Sequence, residues 1–345
     1  MKNSTQHIAI IRLSALGDVA MLVPVLRRLL QQYPDLKVTV VTKPFFGKLF
    51  QDLPQVNVLV AEVKTEHKGI MGLWSLAKEI KALDVDAVAD VHDVLRSKML
   101  RFFFFLYGIK SASIDKGRAE KKALTQLAPK TITPLKTTQQ RYAAVFEQLG
   151  FPIDLDQEIS FEKPQLPKQF QEYIGQNVKK WIGIAPFAAH ETKMYPLDLM
   201  EEVIVALNEE NNLHIFLFGG GNQERQLLEP LAEKYENVSS LVGIFAFAEE
   251  LHIIANLDLM ISMDSGNGHM AAMYQVPVIS IWGNTHPYAG FAPFQQTPAQ
   301  QILPDLTQYP FLPTSIYGNK EVSGYEDVMK SIPPREIIEK AKSYL

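Results

Sequence analysis

The stretch Leu257–Trp282 reads LDLMISMDSGNGHMAAMYQVPVISIW. Its apolar run Leu257–Ser262 predicts a buried strand, Gly268–Tyr274 a helix, and Val276–Trp282 a second buried strand. Two such strands joined by a helix make a parallel crossover unit. Ligands of such sheets bind beyond the carboxyl ends of the strands. Asp264 sits at such an end. Ser265 and Gly266 lie where the helix begins, so their N–H groups and the helix dipole suit an anion. His269 falls one turn further along the same face. A capped helix start with a core-packed histidine accounts for the same residues, and the block alone leaves both readings open. Asp264 and His269 lack a third ligand at metal spacing. Ser265 is not in G-x-S-x-G, which argues against a serine hydrolase.

The same alternation extends in both directions. His7–Leu13, Lys37–Thr42, Val56–Val60 and Ala87–Val91 read as strands, with helices over Val19–Leu30 and Leu73–Ala82. Arg27 and Arg28 fall in the expected last turn of the first helix, where cations complement the dipole. Pro152, Pro164 and Pro167 mark a linker region. Strands then resume at Trp181–Ala185 and His214–Phe218, with helices over Leu197–Asn208 and Glu224–Tyr235. A last helix over Pro333–Tyr344 opens on proline. At ~150 residues per domain, 345 residues predict two α/β domains with a cleft between them.

Composition narrows the function. The chain has no cysteine, which excludes disulfides, thiolate metal sites and cysteine nucleophiles and fits a reducing compartment. The first residues, MKNSTQHIAIIRLSALGDV, lack the pattern of a signal peptide. Phe102–Tyr107, the most apolar run, is far short of the ~20 residues that span a bilayer and reads as buried helix or strand. The net charge of −4 hides a split. Residues 1–150 hold 22 Lys and Arg against 13 Asp and Glu, a net +9, and the remainder is −13. A polyanionic acceptor or an anionic membrane face would suit the basic half, as would scattered solvated charge. Its densest cluster is Lys116, Arg118, Lys121 and Lys122. Nucleic acid is a poor partner, because stacked aromatics and a recognition motif are missing.

Three further segments carry chemistry. In Ser14-Ala15-Leu16-Gly17-Asp18, Gly17 permits a tight turn or close approach of a ligand. Asp18 either accepts a proton from a bound hydroxyl or complements a helix dipole. G-x-G-x-x-G is missing there, which disfavours a dinucleotide oxidoreductase. Lys193, in Pro186–Pro196 after a strand, can neutralise a phosphate. In Gly219-Gly220-Gly221-Asn222-Gln223-Glu224 the glycines admit a ligand closely and the carboxylate can hold a ribose diol; a tight strand–helix turn explains them equally.

Together these segments resemble glycosyltransferase family 9, the ADP-heptose:lipopolysaccharide heptosyltransferases. The resemblance is carried by R-L-S-A-L-G-D-V at Arg12–Val19, K-x-aromatic-P at Lys193–Pro196 and G-G-G-x-x-E at Gly219–Glu224. Gly243 before the Phe245–Glu250 stretch belongs with them. So do D-S-G-x-x-H-x-A-A at Asp264–Ala272 and the Pro277–Pro287 block ending W-G-N-T-H-P. It implies an α/β fold of GT-B type, two Rossmann-like domains facing across a cleft. Residues 1–160 would form the acceptor-side domain, 161–178 the linker and 179–325 the nucleotide-sugar domain, with 326–345 packing back on the N-terminal domain. It implies inverting transfer of heptose from ADP-heptose to an anionic lipopolysaccharide core acceptor, without a metal or other cofactor. It also implies a cytoplasmic enzyme in peripheral contact with the inner membrane.

Carried over residue by residue, Asp18 matches the catalytic base. Lys193 matches the lysine on the donor phosphates, Glu224 the ribose carboxylate and Phe245 the apolar residue near the adenine. Asp264, Ser265, Gly266 and His269 match the diphosphate and sugar block. Gly17 and the basic cluster fall on the acceptor side. Tyr195 stands where tryptophan is common, Asn267 where proline is frequent, and Ala188 and Ala189 where some relatives place hydroxyls. The alternatives are another nucleotide sugar or surface glycan within the family, and a non-catalytic nucleotide-sugar-binding protein on the same scaffold.

Overall fold

The structure, a computed structural model, describes residues 6–173, 180–210 and 212–345. Positions 174–178 of the expected linker lie outside the described residues. The chain divides into two compact units, Met1–Lys116 with Thr138–Phe161, and Gly117–Thr137 with Glu162–Leu345.

In the first unit β1 (His7–Ile11) leads through α1 (Leu16–Ala20) and α2 (Leu22–Gln32) to β2 (Lys37–Thr42). The short α3 (Pro44–Gly47) precedes β3 (Val56–Val60). Then α4 (Gly69–Ala82), β4 (Ala87–Asp90), α5 (Leu95–Leu106) and β5 (Lys110–Ser113) follow. The five strands are parallel in the order β3-β2-β1-β4-β5. Ile10 lies opposite Val40 on one side and Ala89 on the other. All three are buried, as the unbroken apolar reading of a strand covered on both faces requires. One covering layer is α4 and α5, whose Leu76, Ile80, Leu100 and Phe104 pack on Ile11 and Val88.

The chain then detours into the second unit with α6 (Arg118–Leu124) and returns with α7 (Thr138–Leu149). After Phe161 the second unit runs β6 (Lys180–Ala185), α8 (Leu197–Asn208), β7 (Leu213–Leu217), α9 (Gly221–Ala232) and β8 (Val238–Ser240). It continues with α10 (Phe247–Ala255), β9 (Leu259–Met263), α11 (Gly266–Ala272), β10 (Val278–Ile281), β11 (Gln301–Ile302) and α12 (Pro334–Lys342). Its sheet is also parallel, in the order β11-β10-β9-β6-β7-β8. Fully buried Ile184, Ile261, Ile279 and Ile281 line the core, each contributing ~1.5–3 kcal/mol by burial.

Three expectations need correction. The helix over Val19–Leu30 is two helices broken at Met21. Pro24 has no N–H to give the Ala20 carbonyl, so the chain restarts there. Arg27 and Arg28 then fall mid-helix and buried. Arg27 stacks over the Phe161 ring at 4.2 Å, and Arg28 Nε donates to the Asp154 carbonyl at 2.8 Å. Phe102–Tyr107 is only half buried: Phe103 and Phe104 enter the core while Phe102, Phe105 and Leu106 face outward.

The domain limits also differ. Residues 117–137 belong to the second unit, where Leu135 N–H donates to the Tyr288 carbonyl and Lys130 Nζ to the Phe311 and Pro313 carbonyls. The last helix packs within the second unit. Its Ile337 and Ala341 bury into the second unit's core against α8, and Lys342 pairs with Glu210 at 2.5 Å.

Candidate functional site

Each sheet reverses its strand order once, between β1 and β4 in the first unit and between β6 and β9 in the second. At such a switch the loops leaving the two strands diverge and open a crevice for ligands. These loops lead to Gly17 and Asp18 in the first unit and to Lys193, Asp264, Ser265 and Gly266 in the second, whereas Glu224 follows β7 and Phe245 follows β8.

In the second unit the loop after β6 carries Lys193 and the loop after β9 carries Asp264. Lys193 Nζ donates to the Asp264 carbonyl at 2.7 Å and lies 3.3 Å from Oδ2. Thr285 Oγ1, beyond β10, donates to the same Oδ2 at 2.8 Å. Both side chains of the ion pair are about 90% buried, so the charge is paired in a poorly solvated setting. The Lys193 stem lies against Gly318, where a Cβ would meet Cγ at 2.5 Å. Thr192 Oγ1 bonds the Gly318 carbonyl, and Gly318 N–H donates to Ser315 Oγ at 2.9 Å. The cation is thus aimed by its surroundings rather than left on a free tether.

Ser265 is the N-cap of α11, and its Oγ is 3.3 Å from Ser262 Oγ. Gly266 opens the helix, and His269 is buried on it. Gly268 lets the helix approach β9, since a Cβ there would be 3.0 Å from Ser262 Oγ. Glu224, in the first turn of α9, accepts the Gly220 N–H at 2.6 Å and so holds the glycine turn. Phe245 is buried edge-on to Phe170 and Tyr173, at 5.9 and 5.5 Å. A cavity of about 250 Å³ adjoins this region, lined by Thr192, Met194, Tyr325 and Met329 among others; none of the expected donor residues lines it.

In the first unit Asp18 stands in the first turn of α1. Its Oδ2 is 2.6 Å from Arg12 Nη2 and accepts the Ala15 N–H at 3.3 Å. Arg12, at the end of β1, also donates to the Val91 carbonyl at 2.6 Å and ties the two switch loops together. Burial opposes the Arg12 charge, but Tyr142, Asp18 and Asp90 together hold its pKa above the ordinary value. Burial likewise raises the Tyr142 hydroxyl, which stays protonated and donates to the Asp18 carbonyl at 3.0 Å. His92 lies 3.4 Å from Ser14 Oγ. Burial, then the nearby Arg12 and Lys116 charges, push its pKa down to about 3, so the imidazole is neutral. Gly17 is on α1 beside Asp18.

The basic cluster is divided. Lys116 is in the first unit and donates to the Asp93 carbonyl at 3.2 Å. Arg118, Lys121 and Lys122 ride on α6 in the second unit. Lys121 is buried over the Phe291 ring at 4.0 Å, while Arg118 and Lys122 are exposed.

Arg12 and Thr285 were within the motifs quoted from the sequence, yet only their contacts mark them as site residues. Asp90, His92 and Tyr142 carry no sequence signal of this role. They meet Arg12 and Asp18 only through the pairing of β1 with β4 and the packing of α7. Among the described residues no cluster of three His, Asp or Glu could hold a metal ion.

The family model for glycosyltransferase family 9 (heptosyltransferase) matches residues 73–306. Lipopolysaccharide heptosyltransferase 3 of Escherichia coli (strain K12) is 27% identical over 284 residues, 78% of this chain and 80% of the relative. The family 9 glycosyl transferase structure from Veillonella parvula DSM 2008 has a TM-score of 0.73 at 20% identity, covering 100% of this chain and 98% of that one. The E. coli heptosyltransferase WaaC with ADP has a TM-score of 0.68 at 17% identity, covering 99% and 100%. The two parallel α/β units have the GT-B fold of these heptosyltransferase structures, and the family match makes the chain a glycosyltransferase. The chain belongs to glycosyltransferase family 9.

Proposed function

We propose that this enzyme transfers heptose from ADP-heptose to an anionic, lipid-linked lipopolysaccharide core acceptor with inversion. The observation that carries the reading is the convergence of Lys193 and Thr285 on Asp264 at the β6/β9 switch, in a chain whose relatives are named lipopolysaccharide heptosyltransferases.

Asp18 takes the proton of an acceptor hydroxyl, whose oxygen bonds the anomeric carbon of the heptose. The bond from that carbon to the diphosphate oxygen breaks, and ADP leaves as the anion. Lys193 meets the charge that builds on the departing diphosphate. Attack opposite the leaving group inverts the anomeric centre. Arg12 holds the Asp18 carboxylate at 2.6 Å, and the Tyr142 hydroxyl fixes its backbone. Glu224 and Phe245 serve the ribose and the adenine, and Ser265, Gly266 and His269 the diphosphate and sugar. The lysines and Arg118 of the basic cluster serve the acceptor's anionic groups. With alanine at 188 and 189, no hydroxyl from those positions helps Lys193 with the phosphates.

Asp18→Asn keeps the side chain's size and removes its basicity. Turnover of ADP-heptose should fall ~10²–10⁴-fold, with ADP affinity by calorimetry unchanged. Near-normal turnover removes Asp18 from the role. A thermal-shift comparison of ADP-, UDP- and GDP-sugars tests the donor, since only the true ligand class should raise the melting temperature strongly.

A further inference from the structure

The outer faces of α4 and α5 break the usual rule for a helix that covers a sheet. On α5, Leu95 and Phe105 are 79% and 76% exposed, and Phe102 and Leu106 are exposed with them. At ~100° per residue, Leu95, Phe102 and Leu106 fall within about 40° of one line along the helix. On the adjoining α4, Ile70 and Trp74 also point outward, as does Met71, 69% exposed. These side chains are in addition to those the two helices bury beneath them. An apolar stripe of this size on a solvated face needs a partner.

Cations frame the stripe. α5 carries Arg96, Lys98 and Arg101 and no acid. On α4, Lys78 lies over the Trp74 ring at 3.7 Å, and Lys81 over the Tyr107 ring at 4.4 Å. Of the nearby carboxylates, Asp90 and Asp93 hold Arg101 at 3.0 and 3.4 Å, Asp93 also lies 3.6 Å from Lys98, and Glu79 pairs with His67 at 3.0 Å. Aromatic and aliphatic side chains bordered by cations match the chemistry of a bilayer surface bearing anionic lipid.

We propose that the outer face of α4 and α5 is a membrane-docking surface. Phe102, Phe105, Leu106 and Trp74 enter the boundary between headgroups and acyl chains, and the flanking cations meet lipid phosphates. A second copy of the chain fits less well, because a two-fold contact through this face would set these cations against their own equivalents. The proposal deepens the lipid-linked acceptor of the proposed function and rests on that reading for its purpose. The surface itself stands on exposure and charge.

The test is flotation of the full chain with phosphatidylcholine vesicles, with and without phosphatidylglycerol. The wild type should rise with the anionic vesicles, less so at high salt. The triple variant Phe102→Ser/Phe105→Ser/Leu106→Gln and the double variant Lys81→Glu/Arg96→Glu should each bind about tenfold more weakly or worse. Melting temperature and ADP affinity should stay at wild-type values. A wild type that stays with the soluble fraction overturns the proposal, as do variants that float like the wild type. So does a dimer in sedimentation that the triple variant dissolves, which would give the face to a second copy. Failure of the heptosyl-transfer reading would show separately, as no turnover on a soluble acceptor with flotation intact.

Discussion

Lys193 illustrates how chemistry is assigned at the scale of one residue. As a loop lysine it cannot be told from a solvated cation. What distinguishes it is a stem held against Gly318 and an ammonium that meets the Asp264 carbonyl and Oδ2. Burial makes this ion pair costly to break on one side only. A diphosphate would share the ammonium and replace part of its lost hydration. Lys193→Ala should therefore weaken ADP binding by ~1–3 kcal/mol, roughly 5- to 150-fold in Kd, by calorimetry. A Kd within about twofold of wild type would remove Lys193 from the donor site. Asp18 shows the same logic. Five residues separate it from Arg12, one at a strand end and one in the following helix, and the turn between them folds the carboxylate back onto the guanidinium.

At the scale of elements, the strand ends decide what can meet. The turn after β10 packs directly on the turn that bears Lys193. Asn284 N–H donates to the Thr192 carbonyl at 3.1 Å, and a Cβ at Gly283 would collide with that carbonyl and lie 2.6 Å from the Met329 sulfur. Only glycine allows this approach. Gly283→Ala should push the Thr192–Lys193 turn away from Asp264. We expect a loss of ~1–3 kcal/mol in stability by chemical denaturation together with weaker ADP binding. Unchanged stability would mean that the turn yields freely. The core strands were legible because unbroken apolar runs such as residues 8–11 signal burial on both faces. β5, whose sequence is KSAS, was not: it is a polar strand at the sheet edge, and only its pairing with β4 identifies it. In α5 periodicity likewise failed, since its apolar residues both enter the core and face outward.

For the whole molecule, charge and pH behave differently than a linear reading suggests. The +9 of residues 1–150 does not describe a domain. The detour 117–137 carries +4 into the second unit, and Asp154, Asp156 and Glu158 join the first. The first unit is then +2 and the second −6. Stability against pH follows from buried titratable groups in both units. Burial lowers His92 to about 3 and His214 and His286 to about 4. Unfolded, each titrates near 6.5. Below that pH the unfolded chain binds more protons, so stability falls from pH 6.5 toward 4. Glu250 runs the other way, raised to about 7 by burial, so its contribution grows as pH falls from 7 toward 4.5. Three histidines outweigh one carboxyl, and the melting temperature should drop as pH goes from 6.5 to 4. Glu250→Gln should raise it at pH 8 and steepen the acid decline. A melting temperature that rises on acidification would contradict the assignment.

The sequence by itself determined the two α/β units, the order of their motifs and the family, because these rest on local signals. Apolar runs bury, glycines turn, and short blocks such as Asp264–Ala272 keep their order along the chain. Only the tertiary structure decided that Lys193 meets Asp264 from 71 residues away, that Tyr142 supports Asp18 from 124 away, and that residues 117–137 belong with the second unit. It also decided that α12 packs on α8 and that α5 turns phenylalanines to solvent. Those outcomes depend on strand register and layer packing between distant segments, which no window along the chain contains.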